Sequence, residues 1–178
     1  MNPRQWFCSA LVFLGLIVVA GTMPVRAQEN AAPVVHPRAT MKLGALPSVP
    51  PCVTGASETG DPFKGQSTIL MRFAGGCAVP WHWHTPDEII LMISGTLRVD
   101  MKGTAKAAYL HAGDYAMAPS HHIHRARCVG AAPCMIFLHS AGAFDIHYVD
   151  ASGKEIPMSE AIKPARMARK PAHKSASK

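Results

Sequence analysis

Short runs of strand-forming residues alternate with glycine and proline from Ser67 to Val149, and this alternation limits the fold more than any other feature of the chain. The runs are rich in aliphatic and aromatic side chains, and turn-forming residues such as Gly95, Gly103 and Pro119 separate them. Many short strands with turn signals at this spacing predict an all-β sandwich or barrel. The predicted strands span residues 67–73, 88–94, 96–101, 106–110, 115–117, 124–128, 135–139 and 144–149.

The segments that flank this region differ from it in composition. Residues 28–51 contain five prolines and predict an extended arm, and the only helix we expect, over 158–167, is interrupted by Pro164. The end of the chain is rich in Pro, Ala, Ser and Lys, buries little apolar surface and predicts a disordered tail. The predicted segments are a signal peptide (1–27), an arm with the first strands (28–66), a barrel core (67–150) and a C-terminal extension with a basic tail (151–178).

The N-terminus has the pattern of a secretory signal peptide. Arg4 precedes the apolar run 7–20, and Val25-Arg-Ala27 supplies the small residues that a signal peptidase reads. The run is shorter than the roughly 20 apolar residues of a membrane span, and an uncleaved N-terminal anchor is the alternative. We expect cleavage after Ala27 and a periplasmic or secreted mature protein without a membrane span.

The formal net charge of +7 does not belong to the predicted barrel. Residues 28–153 contain nine basic and nine acidic residues, so the body is neutral and the excess lies in the signal peptide and the C-terminal region. A basic segment of this composition is more often a solvated tail than a nucleic-acid arm, and weak attraction to an anionic membrane surface stays open. We therefore expect no nucleic-acid partner.

Four cysteines remain after the signal peptide, namely Cys52, Cys77, Cys128 and Cys134. An even number in an exported chain is compatible with two disulfides, which four cysteines can form in three ways. Cys128 and Cys134 flank a loop with glycine and proline between strand-like runs, so they could face each other across a hairpin. That pairing would leave Cys52 with Cys77. Four free thiols are the alternative.

Two histidines, His82 and His84, alternate with Trp81 and Trp83. In a strand the two histidines point to one side and the two tryptophans to the other. A Pro-Asp turn follows, after which Glu88 can return toward the histidines. One His-x-His pair is weak evidence for a metal site, because surface histidines are common, and a third nitrogen ligand would strengthen it.

That third nitrogen ligand is His124, which a Gly-Asp turn, a short strand and Pro119 place on another predicted strand. Three neutral imidazoles and one carboxylate suit a divalent transition metal such as iron, manganese, nickel, copper or zinc, and they suit calcium poorly. Four protein ligands on an ion that accepts six would leave positions open for water, dioxygen or a substrate. The alternative is that these are ordinary polar residues.

The spacing of these residues resembles the motifs of the cupin superfamily. The resemblance covers roughly Thr68 to Val149, and it implies a small jelly-roll β-barrel (a double-stranded β-helix), often a homodimer, with a divalent metal inside the barrel. The implied metal ligands are His82, His84, Glu88 and His124. The first motif matches Gly76-x5-His82-x-His84-x3-Glu88-x6-Gly95, and the second matches Gly113-x5-Pro119 followed by His124.

The second motif departs from the family at two positions: His121 stands where glycine is usual, and Cys128 stands where asparagine is usual. Glycine commonly permits a turn with positive φ there, and histidine tolerates that conformation less well. His121 and His122 lie beside the expected mouth of the barrel. Either could support the ligands or act as a general base near pH 7, and exposed loop histidines are the alternative.

Strand parity assigns several neighbouring side chains. Trp81 and Trp83 should face away from the interior, where the arm or a second protomer could cover them. Ile90 and Met92 share the parity of Glu88 and should line an apolar cavity suited to a small organic ligand. His139 is expected to be a satisfied core histidine, with a cavity-facing position as the alternative.

Together these features predict an exported metal-dependent enzyme, an oxygenase or a related lyase or isomerase acting on a small organic molecule. The alternative is a non-catalytic cupin that binds a metal or a ligand as a sensor or storage protein. A metal-free barrel that binds only carbohydrate is disfavoured by the intact ligand set.

Overall fold

The computed structural model describes residues 33–162. The predicted signal peptide and the basic tail from residue 163 onward lie outside the described residues. The barrel belongs to the unit of the chain that begins at His36. Within the described range, no helix is long and apolar enough to cross a membrane.

Two antiparallel sheets form the protein, which confirms the predicted all-β jelly-roll fold. One sheet has six strands in the order β1-β2-β3-β10-β5-β8, and the other has five in the order β11-β4-β9-β6-β7. The strands are β1 (Gly44–Ala45), β2 (Val53–Thr59), β3 (Ser67–Phe73), β4 (Ala78–Trp83), β5 (Glu88–Ser94), β6 (Leu97–Met101), β7 (Ala108–Leu110), β8 (Tyr115–Ala118), β9 (His124–Cys128), β10 (Cys134–Ser140) and β11 (His147–Tyr148). A 3₁₀ turn (Arg38–Thr40) and a one-turn helix, α1 (Met158–Ala161), complete the described part.

The core lies between the inner faces of the two sheets. Side chains alternate along each strand, so that in β9 Ala126 and Cys128 are buried while Arg125 and Arg127 are on the outside. The largest fully buried side chains come from both sheets and include Ile69, Met92, Leu97 and Ile136. Burial of these apolar groups, at about 25 cal/mol per Å², is the main force that holds the sheets together.

Four points of the sequence-based prediction of elements need correction. The predicted arm is not irregular throughout, because β1 lies within it and pairs with β2. Strand β2 lies in the segment 28–66, where the first strands were expected, but no bounds were predicted for it, since its sequence VTGASET is small and polar and lacks a strong apolar pattern. The expected strand 144–149 is reduced to the two residues of β11, and the expected helix 158–167 ends at Ala161 within the described part.

Two disulfides join the elements, and both match the pairing that the sequence favoured. Cys52–Cys77 links the residue before β2 to the residue before β4, and Cys128–Cys134 ties the end of β9 to the start of β10. The Cα atoms of the two pairs are 5.8 and 5.7 Å apart. The alternative of four free thiols is therefore wrong. Disulfides of this kind persist in oxidising compartments.

Candidate metal centre

Strands β4, β5 and β9 deliver four polar side chains to the inside of an otherwise apolar barrel. His82 lies in β4 directly opposite His124 in β9, and His84 follows the end of β4. Glu88 is the first residue of β5, after the turn that the sequence predicts. All four side chains are buried, with exposed fractions between 2% and 6%. The parity of β4 therefore brings both histidines inward, as predicted.

The three histidines form a compact group. Their candidate ligand atoms all lie within 4.8 Å of one another, a spacing that could hold one metal ion. The ring centroid of His82 is 4.3 Å from that of His124 and 4.8 Å from that of His84. The rings of His84 and His124 are 5.3 Å apart.

Each of these imidazoles is held by a main-chain carbonyl. The Nδ1 atom of His82 donates to the oxygen of Pro80 at 2.6 Å, and Nδ1 of His124 donates to the oxygen of His122 at 2.8 Å. Nδ1 of His84 donates to the carbonyl oxygen of Asp145. A carbonyl can only accept, so Nδ1 carries a proton in all three rings, and in the neutral imidazole Nε2 keeps a lone pair. This is the outer-sphere arrangement that orients metal-binding histidines.

Glu88 lies against two of these rings. Its Oε1 is 3.3 Å from Nε2 of His84, and its Oε2 is 3.1 Å from Nε2 of His124. When both rings are neutral and protonated at Nδ1, acceptor atoms face acceptor atoms in a buried space, which is unfavourable without a proton on Nε2 or a metal cation between them. Nε2 of His84 also finds no hydrogen-bond partner among the described residues. The donor set therefore fits a metal ion.

Burial and mutual contact shift the pKa values of these groups in opposite directions. Burial, together with the neighbouring His124 and His84, holds the pKa of His82 well below its usual range. Burial alone would raise the pKa of Glu88, but the imidazoles of His84 and His124 hold it well below normal. Burial likewise opposes charge on His84, and the Glu88 carboxylate outweighs this and raises its pKa. The site thus combines an ionised carboxylate with an attraction for positive charge beside it.

The cavity that these residues share is small and apolar. Its volume is about 30 Å³, whereas sites for drug-sized ligands measure roughly 300–1,000 Å³. Ile90 lines it as predicted, while Met92 is buried in the core without lining it. The remaining lining side chains are Val49, Met71, Phe73, Val79, Val99, Ala126, Ile136, Leu138, Phe144 and Ile146. As it stands, the cavity has room for an ion and about one water molecule.

Residues 144–146 form one wall of this cavity, a role that the sequence did not indicate. Phe144 and Ile146 line the cavity, and the ring of Phe144 lies 5.1 Å from that of His84. Between them, Asp145 accepts a hydrogen bond from Thr85 N at 2.8 Å and presents its carbonyl to His84. The wall is therefore attached to the metal centre by hydrogen bonds at a single residue.

His121 and His122 do not line the cavity, and their proposed role as bases stays a prediction. His121 has φ of 61°, so it adopts the left-handed conformation for which the family uses glycine. Its ring stacks on Trp83 with centroids 4.4 Å apart. The main-chain oxygen of His122 accepts the hydrogen bond from His124. That contact involves its backbone and not its ring.

The tryptophans point outward as predicted and are partly covered within the barrel, while further cover by a second protomer stays a prediction. Trp83 is stacked between His121 and His147, whose ring is parallel to it at 3.8 Å. The guanidinium of Arg125 lies 4.5 Å above the ring of Trp81. Side chains of the barrel itself, rather than the arm, therefore cover them. His139 faces away from the cavity and is hydrogen-bonded to Thr68 at 3.1 Å, so it is satisfied as expected, but it is half-buried and not part of the core.

Comparison with known proteins agrees with this architecture. Residues 69–140 match the family model described as "Cupin domain", which confirms the resemblance found in the sequence. KdgF from Halomonas sp. is similar in structure at 20% identity, with 61% of this chain and 93% of that chain covered and a TM-score of 0.50. The Cnp3 cupin domain of Schizosaccharomyces pombe is similar at 11% identity, with coverage of 61% and 74% and a TM-score of 0.51. Identities this low show the fold alone, and no curated protein matches the chain.

Proposed function

We propose, from the premise that residues 69–140 of this barrel are a cupin domain, that the protein is an exported, mononuclear metal-dependent enzyme. Its reaction would be that of a dioxygenase, or of a related lyase or isomerase, on a small organic molecule. The observation that supports this most is the set of three imidazoles anchored through Nδ1, with Nε2 converging beside an ionised carboxylate.

In this proposal His82, His84 and His124 bind the ion through Nε2, and Glu88 binds it through its carboxylate. A divalent transition metal held there would supply Lewis-acid or redox chemistry. The main-chain carbonyls hold the rings in the orientation that binding requires, so little ordering cost remains when the ion arrives. The apolar lining excludes water and strengthens every electrostatic interaction at the centre.

The size of the cavity limits what can reach the ion. An organic molecule does not fit in about 30 Å³, so a substrate larger than a few atoms requires a wall to move. The segment 144–146 is the wall we expect to move, because it belongs to no strand and is linked to the centre by the contacts of Asp145. A small substrate is therefore favoured over an extended one.

The second candidate function is non-catalytic metal binding, as in a sensor or storage protein. The small size of the cavity favours it, because an ion with one water molecule fills about 30 Å³. The two functions share the same ligands and differ in whether the ion is accessible to a substrate.

One experiment tests both candidates. The protein, exported from its host with its disulfides formed, is assayed for bound metal by elemental analysis and for oxygen uptake with phenolic and oxo-acid substrates. One ion per chain with turnover supports the enzyme, and one ion without turnover on any substrate supports the binding protein. No bound metal after expression with iron, manganese, nickel, copper and zinc supplied would exclude both.

Export is supported by the two disulfides, which an oxidising compartment allows. We propose a periplasmic or secreted location, with the signal peptide cleaved after Ala27. Mass measurement of the exported protein tests this directly, since the mature chain would begin at Gln28.

We also propose that the protein is a homodimer, formed through the apolar outer face of the six-stranded sheet. Register aligns Phe137 with Leu91 and Leu91 with Tyr115, while Ile89 lies opposite Met117. Leu91, Met117 and Tyr115 are 44%, 44% and 60% exposed, and contiguous apolar patches of this kind mark interfaces. Light scattering should give the mass of a dimer, and Leu91→Lys should convert it to a monomer.

A further inference from the structure

The barrel has no net charge, but its charged side chains are unevenly distributed. Residues 28–153 contain nine basic and nine acidic residues. Two adjoining grooves on the outside of the five-stranded sheet nevertheless collect five of the basic residues and only one acid. We call this surface the basic groove, and its charged residues are Arg98, Lys102, Lys106, Arg125, Arg127 and Asp100.

The register of the sheet fixes this concentration of charge. Arg98 in β6 lies directly opposite Arg127 in β9, and Asp100 lies opposite Arg125. Residues opposed in this way have Cβ atoms about 4.5–5.5 Å apart, and two like charges there destabilise the sheet. Nothing in the core requires arginine at either position, because both side chains point outward.

The single acid does not neutralise the three arginines. Asp100 accepts from Nη2 of Arg98 at 2.7 Å and from Nε of Arg125 at 3.2 Å. Arg127 has no ion-pair partner among the described residues, and Nε of Arg98 is buried without a hydrogen-bond partner there. The groove therefore has unmet donor capacity as well as excess positive charge.

The basic groove is much larger than the metal cavity. Its two parts have volumes of about 220 and 340 Å³ and meet at Arg98 and Asp100. One part runs past Pro80 and Arg127, and the other runs past Trp81 to the turn between β6 and β7. Tyr109, which pairs with Arg98 across β6 and β7, adds an aromatic ring that is 52% exposed. Positive charge thus follows an elongated path beside exposed aromatic surface.

We propose that the basic groove binds an acidic polysaccharide through the carboxylate groups of successive sugar units. Guanidinium groups bind carboxylates with two parallel hydrogen bonds, and several arginines along a groove suit a ligand whose negative charge repeats. The C–H faces of sugar rings pack on aromatic rings such as that of Tyr109. A carboxylate bound between Arg98 and Arg127 would relieve the repulsion of these opposed charges.

Two other polyanions fit the observations less well. A membrane-binding surface combines basic residues with apolar side chains that insert into the lipid, and the large apolar ring in this groove, Trp81, is covered by Arg125. Nucleic acid is a poor partner for a protein that acts outside the cytoplasm, so this choice rests on the proposed export. The choice of an acidic polysaccharide as the ligand does not depend on whether the barrel binds a metal.

The test measures binding of the full mature protein to alginate, with neutral dextran as the reference, by affinity electrophoresis. We expect retardation by alginate that weakens with salt, and none by dextran. Arg98→Gln/Arg127→Gln should weaken alginate binding at least about tenfold, the loss expected for one charge-assisted hydrogen bond. The metal content of this variant should equal that of the native protein. Arg127→Gln alone, at an exposed position, provides a second variant if the double change alters folding.

A charge-matched control separates a site from general attraction. Arg166→Gln/Arg169→Gln removes the same charge from the C-terminal tail, and it should leave alginate binding within about twofold of native. Equal losses in the two double variants would overturn the proposal, as would equal retardation by dextran or no retardation by alginate at low salt. Tighter binding to double-stranded DNA, or to vesicles of phosphatidylglycerol and phosphatidylcholine, would assign the groove to that polyanion instead.

Discussion

The two faces of strands β4 and β9 carry opposite chemistries. On the inner face, His82 and His124 are buried in an apolar cavity and could hold a cation. On the outer face, Arg125 covers Trp81 and contributes to a surface that attracts anions. Because side chains alternate in a strand, neighbouring residues face the two different environments. A substitution on one face therefore changes no side chain on the other face. A short stretch of sheet can therefore support two independent sites.

The largest expected effect is a loss of metal affinity when a histidine of the inner face is removed and the outer face is left unchanged. His124→Ala removes one of three converging nitrogens and should reduce metal affinity by more than about 100-fold, since loss of an outer hydrogen-bond partner alone costs roughly 10–100-fold. Elemental analysis after dialysis should show one ion in the native chain and almost none in the variant.

The neighbouring residue provides the control for that experiment. Arg125→Gln changes the outer face of the same strand and should keep a full complement of metal. Metal retained by His124→Ala, or lost equally from Arg125→Gln, would contradict the separation of the two faces.

A smaller effect is expected from the far end of the same strands. Cys77 precedes β4 and Cys128 ends β9, and Cys128 N donates to the oxygen of Cys77 at 2.9 Å. Replacing Cys52 and Cys77 by alanine opens a loop with a sequence separation of 25 and should lower the free energy of unfolding by about 3.5 kcal/mol in the chain-entropy view.

The shorter loop serves as the comparison. Cys128→Ala/Cys134→Ala opens a separation of 6 and should cost about 2.4 kcal/mol. Urea unfolding measures both values. The metal centre lies at the opposite end of β4, so metal content should not change, and its loss in either variant would show that the two ends are coupled.

The smallest effects concern the outward tryptophans. Trp83→Leu removes two ring stacks, each contributing about 0.5–1.5 kcal/mol, and Trp81→Leu removes one cation–π contact of about 0.5–1 kcal/mol. Urea unfolding should therefore rank Trp83 above Trp81. Equal destabilisation would indicate that the stacks with His121 and His147 contribute nothing beyond packing.

The sequence predicted the strands whose apolar side chains follow a clear pattern. Strands β3, β5 and β9 have the predicted bounds, because each contains alternating or continuous apolar residues. The bounds of β2, within the segment expected to hold the first strands, could not be predicted, since its small polar residues resemble a loop and tertiary pairing with β3 decides its conformation. The reverse holds for β11: residues 144–149 have a strand-like pattern, but only His147 and Tyr148 pair with β4.

The candidate site was likewise predictable from the sequence only in part. The spacing of the histidines and Glu88 was sufficient to predict that they meet. The carbonyls that orient the rings belong to the main chain, so their positions cannot be inferred from residue types. The size of the cavity depends on how Phe144 and Ile146 pack, which spacing does not reveal. The basic groove becomes visible only when register places Arg98 beside Arg127.

The use of main-chain carbonyls to hold the three imidazoles affects how this centre tolerates mutation. Substitution at Pro80, His122 or Asp145 changes a side chain but leaves the carbonyl acceptor in place. Most single amino-acid substitutions therefore leave the orientation of the rings, with Nε2 facing the centre, unchanged. Only a shift of the backbone would alter that orientation. Such a centre could retain its geometry while the residues around it diverge, which leaves the rest of the barrel free to acquire new partners.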